Sequence, residues 1–206
     1  MRIRFAFLAA LLLSGIALPA AAETVPGALP PDAAPPAATP PPAAPTKQGR
    51  LDQLFAELKR ERNEKAAERI AGHIWSEWNQ SGSASIDLMM QWAQKATEEQ
   101  KFDVALDFLD QVVTLQPNYA EGWNRRATVH FLMKNYGKSM ADIDRTLQLE
   151  PRHFGALSGL AQIMTETGHK QSALEAWQKV LAIYPMMRSA QNQVSTLSEE
   201  LAGEGI

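Results

Sequence analysis

The chain has no cysteine among its 206 residues. That absence excludes a disulfide framework, a thiolate nucleophile, a thiolate metal site and a lipid-modified N-terminal Cys. Basic charge is also scarce. Lys and Arg number 20 against 23 Asp and Glu, giving a net charge of −3 and a pI near 5.8. A nucleic-acid binder needs a basic face to neutralise phosphates, so no nucleic-acid partner is expected. Long apolar runs are limited to one, Phe5 to Leu18, about 14 residues, whereas a membrane-crossing helix needs about 20. Proline is nearly missing from most of the chain: nine of the 13 fall between Pro26 and Pro45, one is Pro19, and the others are Pro117, Pro151 and Pro185.

The apolar run has the layout of a secretory signal. Arg2 and Arg4 precede it and Pro19-Ala20-Ala21-Ala22 follows, with small residues at Ala20 and Ala22 for the cleavage pocket of a signal peptidase. Cleavage after Ala22 removes both arginines and leaves 18 basic against 23 acidic side chains, net −5. Export without cysteine, behind an Ala-rich signal, points to the periplasm of a Gram-negative cell, with no transmembrane segment after cleavage. The stretch 23–48 is almost wholly Ala, Pro and Thr with no aromatic residue. It lacks the apolar surface to offset ordering entropy and reads as a spacer with polyproline II bias, able to reach roughly 75 Å.

Beyond Gly49 apolar residues recur at helical spacing. Leu51, Leu54, Phe55 and Leu58 form one stripe, and Ile70, Ile74, Trp75 and Trp78 another. Gln80-Ser81-Gly82-Ser83 breaks the second helix, and strand signals are absent. The last three prolines are 34 residues apart, so the sequence aligns as units 86–119, 120–153 and 154–187. The fourth position of each is large (Met89, Trp123, Leu157) and the eighth small (Ala93, Ala127, Ala161). The twentieth is small (Ala105, Ser139, Ala173) and the twenty-fourth large (Leu109, Ile143, Trp177). Small residues let two helices approach, large ones fill the space around the crossing, and Pro ends the second helix.

This pattern resembles the tetratricopeptide repeat, a 34-residue helix-turn-helix unit. The resemblance implies an all-α helix-turn-helix solenoid: three repeats, a degenerate N-terminal helical repeat over 49–85, and a capping helix and tail over 188–206. Asn118 with Glu121 is expected to cap the helix that opens the second repeat. In that repeat Arg126 and His130 stand where the family carries Leu and Tyr. An internal ion pair of Arg126 with Asp142 or Asp144 is the expected resolution, since an unpaired buried charge is costly.

Catalytic chemistry is not legible. Gly137-Lys138-Ser139 lacks the leading glycine of a phosphate-binding loop, because that place falls on Leu132, and it joins two helices instead of following a strand. The four histidines, His73, His130, His153 and His169, include no pair three or four residues apart; His130 and His153 are the two placed to approach each other around one unit. No catalytic residue, metal site or cofactor is assigned, and the chain is read as no enzyme.

In the family the first helix of each unit lines the concave surface through its second, fifth, ninth, twelfth and thirteenth positions. Carried onto this chain, the resemblance places Gln94, Asn124, Arg125, Thr128, Phe131, Ser158, Gln162 and Asn192 against a partner, with Met90 and Phe131 as apolar anchors. Arg125, about 100° around the helix from Arg126, is the cation expected to reach a ligand. Amides and hydroxyls suit an extended peptide or partner helix. The carboxylate-gripping positions of the chaperone-binding subset here are Met90, Gln94, Arg125, Gly155 and Gly159, of which only Arg125 fits. The expected function is that of a non-enzymatic scaffold or adaptor in the bacterial envelope. The alternative is a binder of a small molecule or envelope polymer held by Arg125, Asn124 and His153.

Overall fold

A computed structural model describes residues 46–203. The expected signal segment, its cleavage site and the Ala/Pro-rich spacer up to residue 45 lie outside the described residues. Within them the chain forms nine helices and no strand, which bears out the all-helical repeat fold. The helices are α1 (Lys47–Arg60), α2 (Glu64–Trp78), α3 (Ala84–Glu98), α4 (Phe102–Leu115), α5 (Ala120–Leu132), α6 (Tyr136–Leu149), α7 (Phe154–Glu166), α8 (Lys170–Ile183) and α9 (Arg188–Gly203). None of them is long and apolar enough to cross a membrane.

The paired helices α3–α4, α5–α6 and α7–α8 share one construction. The small residues at the crossings are all buried, from Ala93 and Ala105 through Ala127 and Ser139 to Ala161 and Ala173, and the Ser139 hydroxyl donates to the Ala127 carbonyl at 2.8 Å. The first helix of each pair ends on a left-handed residue, Gln100 and Lys134 at φ 59° and Gly168 at φ 78°. The amide that follows donates back at 2.8 Å, from Lys101 to Ala96, Asn135 to His130 and His169 to Met164. This is the helix-ending bond that satisfies an otherwise orphaned carbonyl. Only the third pair uses glycine there, where positive φ carries no Cβ penalty.

Two local expectations are corrected. α5 starts from Tyr119 with no side-chain cap, because Glu121 turns inward and is 2% exposed. The cap appears one unit later, where the His153 ring nitrogen Nδ1 accepts from the Ala156 amide at 3.1 Å. The second correction concerns α1 and α2. They form as the stripes predict, Thr46 and Asn63 capping their starts, but the pair does not stand in the stack ahead of α3. It lies along the edge formed by the turns between units.

Contacts fix that placement. Near the first turn, the Gln116 amide donates to the Ser81 carbonyl at 2.7 Å. At the second, Arg152 meets Asp52 at 2.7 Å and covers the Phe55 ring; at the third, Arg188 meets Glu64 at 2.9 Å. One apolar core therefore joins Leu51, Phe55, Leu58, Ile74 and Trp78 to Phe154, Leu157, Trp177, Val180 and Leu197 of α7, α8 and α9. Two tryptophans at the end of α2 explain the detour: they require a large apolar seat, which Phe154 and His153 supply at the start of α7. Gly155 leaves room for them, since a Cβ there would lie 2.6 Å from the Trp75 ring.

Candidate functional site

The concave side is lined by the first helix of each pair, and between α5 and α7 it opens into a cavity of about 250 Å³. Its floor is apolar, built from Ala127, Ile143, Ala156 and Trp177, and the Trp177 indole N–H has no partner among the described residues. The cavity exists because α7 presents Gly155, Ser158 and Gly159, so few atoms stand between the two helices. Its rim carries Asn124, Thr128, Phe131, Ser158 and Gln162.

Five of the eight side chains expected to meet a partner thus converge on one cavity. Gln94 and Arg125 border the neighbouring hollow between α3 and α5, with Asp87, Met90 and Asn79. Asn192 is exposed on α9 and borders neither. Met90 is 6% exposed and packs into the core of the first pair, so it is no open anchor. Asn124 is 8% exposed, and its amide donates to Glu121 at 3.0 Å, so its polar group serves the interior as well as the cavity wall.

Beside the cavity lies a buried ionic cluster, in which helical spacing accounts for Glu121 with Asn124 and Arg125 but not for His153. Glu121 accepts from Arg125 Nε at 2.7 Å, from Asn124 at 3.0 Å and from His153 Nε2 at 3.1 Å. The His153 tautomer follows from the Ala156 amide: Nδ1 is an acceptor, so Nε2 holds the proton that Glu121 receives. Burial pushes the Glu121 carboxyl toward the neutral form, but the hydrogen bond from His153 and the charge and hydrogen bond of Arg125 outweigh it, and the group is held below the usual carboxylate range. The same burial, with the Glu121 charge, raises the Tyr119 phenol.

Arg125, expected to reach a ligand, is 26% exposed at the side chain and already engaged within the protein. Its guanidinium also donates to Asn79 at 2.8 Å and to Gln94, tying α2 and α3 to α5. His153 is 0% exposed and stacked on Trp78, so of the trio Arg125, Asn124 and His153 the histidine is closed to a ligand. With its ring stacked and capping α7, His153 forms no pair with His130. Arg126 pairs with Asp142 as expected, through two bonds of 2.7 and 2.8 Å, but its second partner is Asp110 of α4, while Asp144 accepts from Gln148. Among the described residues no group of three His, Asp or Glu is arranged to hold a metal ion.

Paired helices at this period, small residues at each crossing and a concave cavity define a repeat-type interaction fold. Comparison with known proteins gives the family. Over 154 residues the chain is 58% identical to a TPR repeat-containing protein of Rhizobium etli, covering 75% of this chain and 76% of that protein. The chain belongs to the tetratricopeptide-repeat proteins. It is also 27% identical over 117 residues to small glutamine-rich tetratricopeptide repeat-containing protein 2 of Saccharomyces cerevisiae, of whose length it spans 34%. No family model matches the sequence. Among solved structures, the tetratricopeptide domain of Sgt2 from Aspergillus fumigatus superposes with a TM-score of 0.55 at 15% identity, covering 60% of this chain and 83% of that one. The first such domain of Spaghetti (RPAP3), bound to an HSP90 peptide, gives 0.54 at 20% identity over 57% of this chain and 93% of the domain. At these identities the structures establish the fold.

Proposed function

We propose that this protein is a non-enzymatic adaptor that holds an extended peptide or partner helix against its concave face, with one apolar side chain of the partner seated between α5 and α7. The cavity carries this reading. Its floor of Ala127, Ile143 and Trp177 suits an apolar anchor, and the hydroxyls and amide of Thr128, Ser158 and Gln162 stand at the rim where a partner backbone needs donors and acceptors. The Spaghetti structure holds a peptide. The chaperone-tail mode is not part of the proposal, since the one arginine at a gripping position already has three protein partners.

The proposal places the adaptor in the bacterial envelope, exported by the signal-like segment 1–22 and cleaved after Ala22. An intact N-terminus on membrane-bound protein would overturn that placement.

The binding site is tested with a photo-crosslinking amino acid at Gln162 in living cells, and at Lys179 on α8 as the control. A peptide from the captured protein is then titrated against the wild type and Gly159→Leu, which fills the cavity. Capture from Gln162 alone, with binding lost in Gly159→Leu and the thermal transition retained, is the expected result. Equal capture from Lys179, or full binding by the filled variant, rejects the cavity as the site.

A further inference from the structure

Among the described residues nothing covers the face of α3 and α4 that points away from α5. Of the five large hydrophobic side chains exposed among the described residues, four stand here: Leu88 at 42%, Trp92 at 47%, Val104 at 44% and Leu115 at 67%. Such residues scattered singly are ordinary, but clustered they mark an interaction surface. Trp92 and Phe108 join them into one patch, ring centroids 5.4 Å apart.

The next unit shows what these positions meet. Gly122 stands one period after Leu88, and a Cβ on it would lie 2.8 Å from Val112 of α4. Arg126 stands one period after Trp92 and reaches Asp110 of α4 at 2.8 Å. Val129 stands one period after Lys95 and is 1% exposed, in the core built on α3 and α4. At the internal junction, then, these places are covered by the second helix of the preceding unit. Among the described residues no such unit stands ahead of α3, because α1 and α2 are laid along the turns.

We propose that a second copy of this chain covers this face, forming a two-fold dimer with α3 of each copy against α4 of the other. The charges are self-complementary. Lys95 on α3, and Asp103 and Asp107 on α4, have no ion pair among the described residues. A two-fold axis parallel to the helices brings Lys95 of one copy to the acidic flank of α4 on the other and stacks the Trp92 and Phe108 rings of both copies at the centre. An acidic foreign helix would answer Lys95 but repel Asp103 and Asp107, and a basic one the reverse; a second copy answers both. Such a contact is isologous and closes at two subunits, and the opposite end of the array is already covered by α9.

Sedimentation velocity of the full chain over a concentration series tests this. A reversible dimer is expected, weakened about a hundredfold by Trp92→Glu, as for a central aromatic anchor. Circular dichroism should be unchanged, because the side chain is exposed. Lys95→Glu and Asp107→Lys should each weaken the dimer about fivefold, and the two together should restore it. A wild type that stays monomeric throughout overturns the proposal and leaves the face to a different protein. A dimer that survives Trp92→Glu, or a double charge reversal no better than its parents, overturns it by locating the contact elsewhere.

Discussion

The imidazole of His153 lies flat on the indole of Trp78, with centroids 4.0 Å apart and planes within 8°. Between them they join the last turn of α2 to the cap of α7, residues that the sequence separates by two full repeats. Trp75 closes the same cluster edge-on against His153 and Phe154. The N-terminal helices are thus anchored by aromatic packing, with Glu121 and Arg125 as the polar side of the joint.

Trp78→Ala should therefore lower stability by about 3–5 kcal/mol, the range for deleting a buried aromatic side chain. Urea denaturation measures the loss. Limited proteolysis should then cut first in α1 and α2, and cutting that begins in α7 would contradict the assigned joint.

Acid should expose the Glu121 contribution. Its folded carboxyl lies below the unfolded value of 4.5, so its stabilisation is whole above that value and fades as pH falls below it toward the folded one. Glu121→Gln should cost about 2 kcal/mol at neutral pH and flatten the acid side of the stability curve. A variant with the same pH slope as wild type would show that other carboxylates set it.

Arg126 and Asp142 occupy places that the third repeat fills with Leu160 and Ala176. Arg126→Leu alone strands Asp142, 4% exposed, and should cost about 3 kcal/mol, whereas Arg126→Leu with Asp142→Ala should recover most of that. Thermal melts of these two variants and of Asp142→Ala alone decide the matter, and additive losses would exclude a coupled pair.

Two neighbouring glycines should respond with opposite sign to alanine. At Gly159 a Cβ would sit 3.5 Å from Ile143, an ordinary contact, so Gly159→Ala should stabilise by about 0.5–1 kcal/mol through reduced chain entropy. At Gly155 the Cβ would press on Trp75, and Gly155→Ala should destabilise by about 1–3 kcal/mol. Denaturant midpoints of both variants provide the comparison.

The repeat fold was readable because its determinants are periodic: Ala93, Ala127 and Ala161 announce the crossings, and Pro117, Pro151 and Pro185 the unit length. The cavity was readable in part, since the family resemblance places Thr128, Ser158 and Gln162 on the concave face, where they line it. The position of α1 and α2 was not. Helical periodicity reports which face of a helix is buried and is silent on which distant surface buries it, so Trp75 and Trp78 marked a stripe without naming Phe154 as its seat. The partners of Arg125 were hidden for a related reason. Its direction on α5 was legible, but its partners Asn79 and Gln94 come from two other helices brought together only by that packing.

The lengthwise course of α1 and α2 also bears on how the molecule comes into being. Repeat arrays ordinarily assemble by nearest-neighbour steps, so their units can form in turn during synthesis. Here the pairs Asp52–Arg152 and Glu64–Arg188 bridge 100 and 124 positions of chain, and such long closures slow folding. Helices α1 and α2 have no seat until the last repeat exists. Docking of α1 and α2 therefore waits on the third repeat, and, once made, the clasp ties the ends of the array together against fraying.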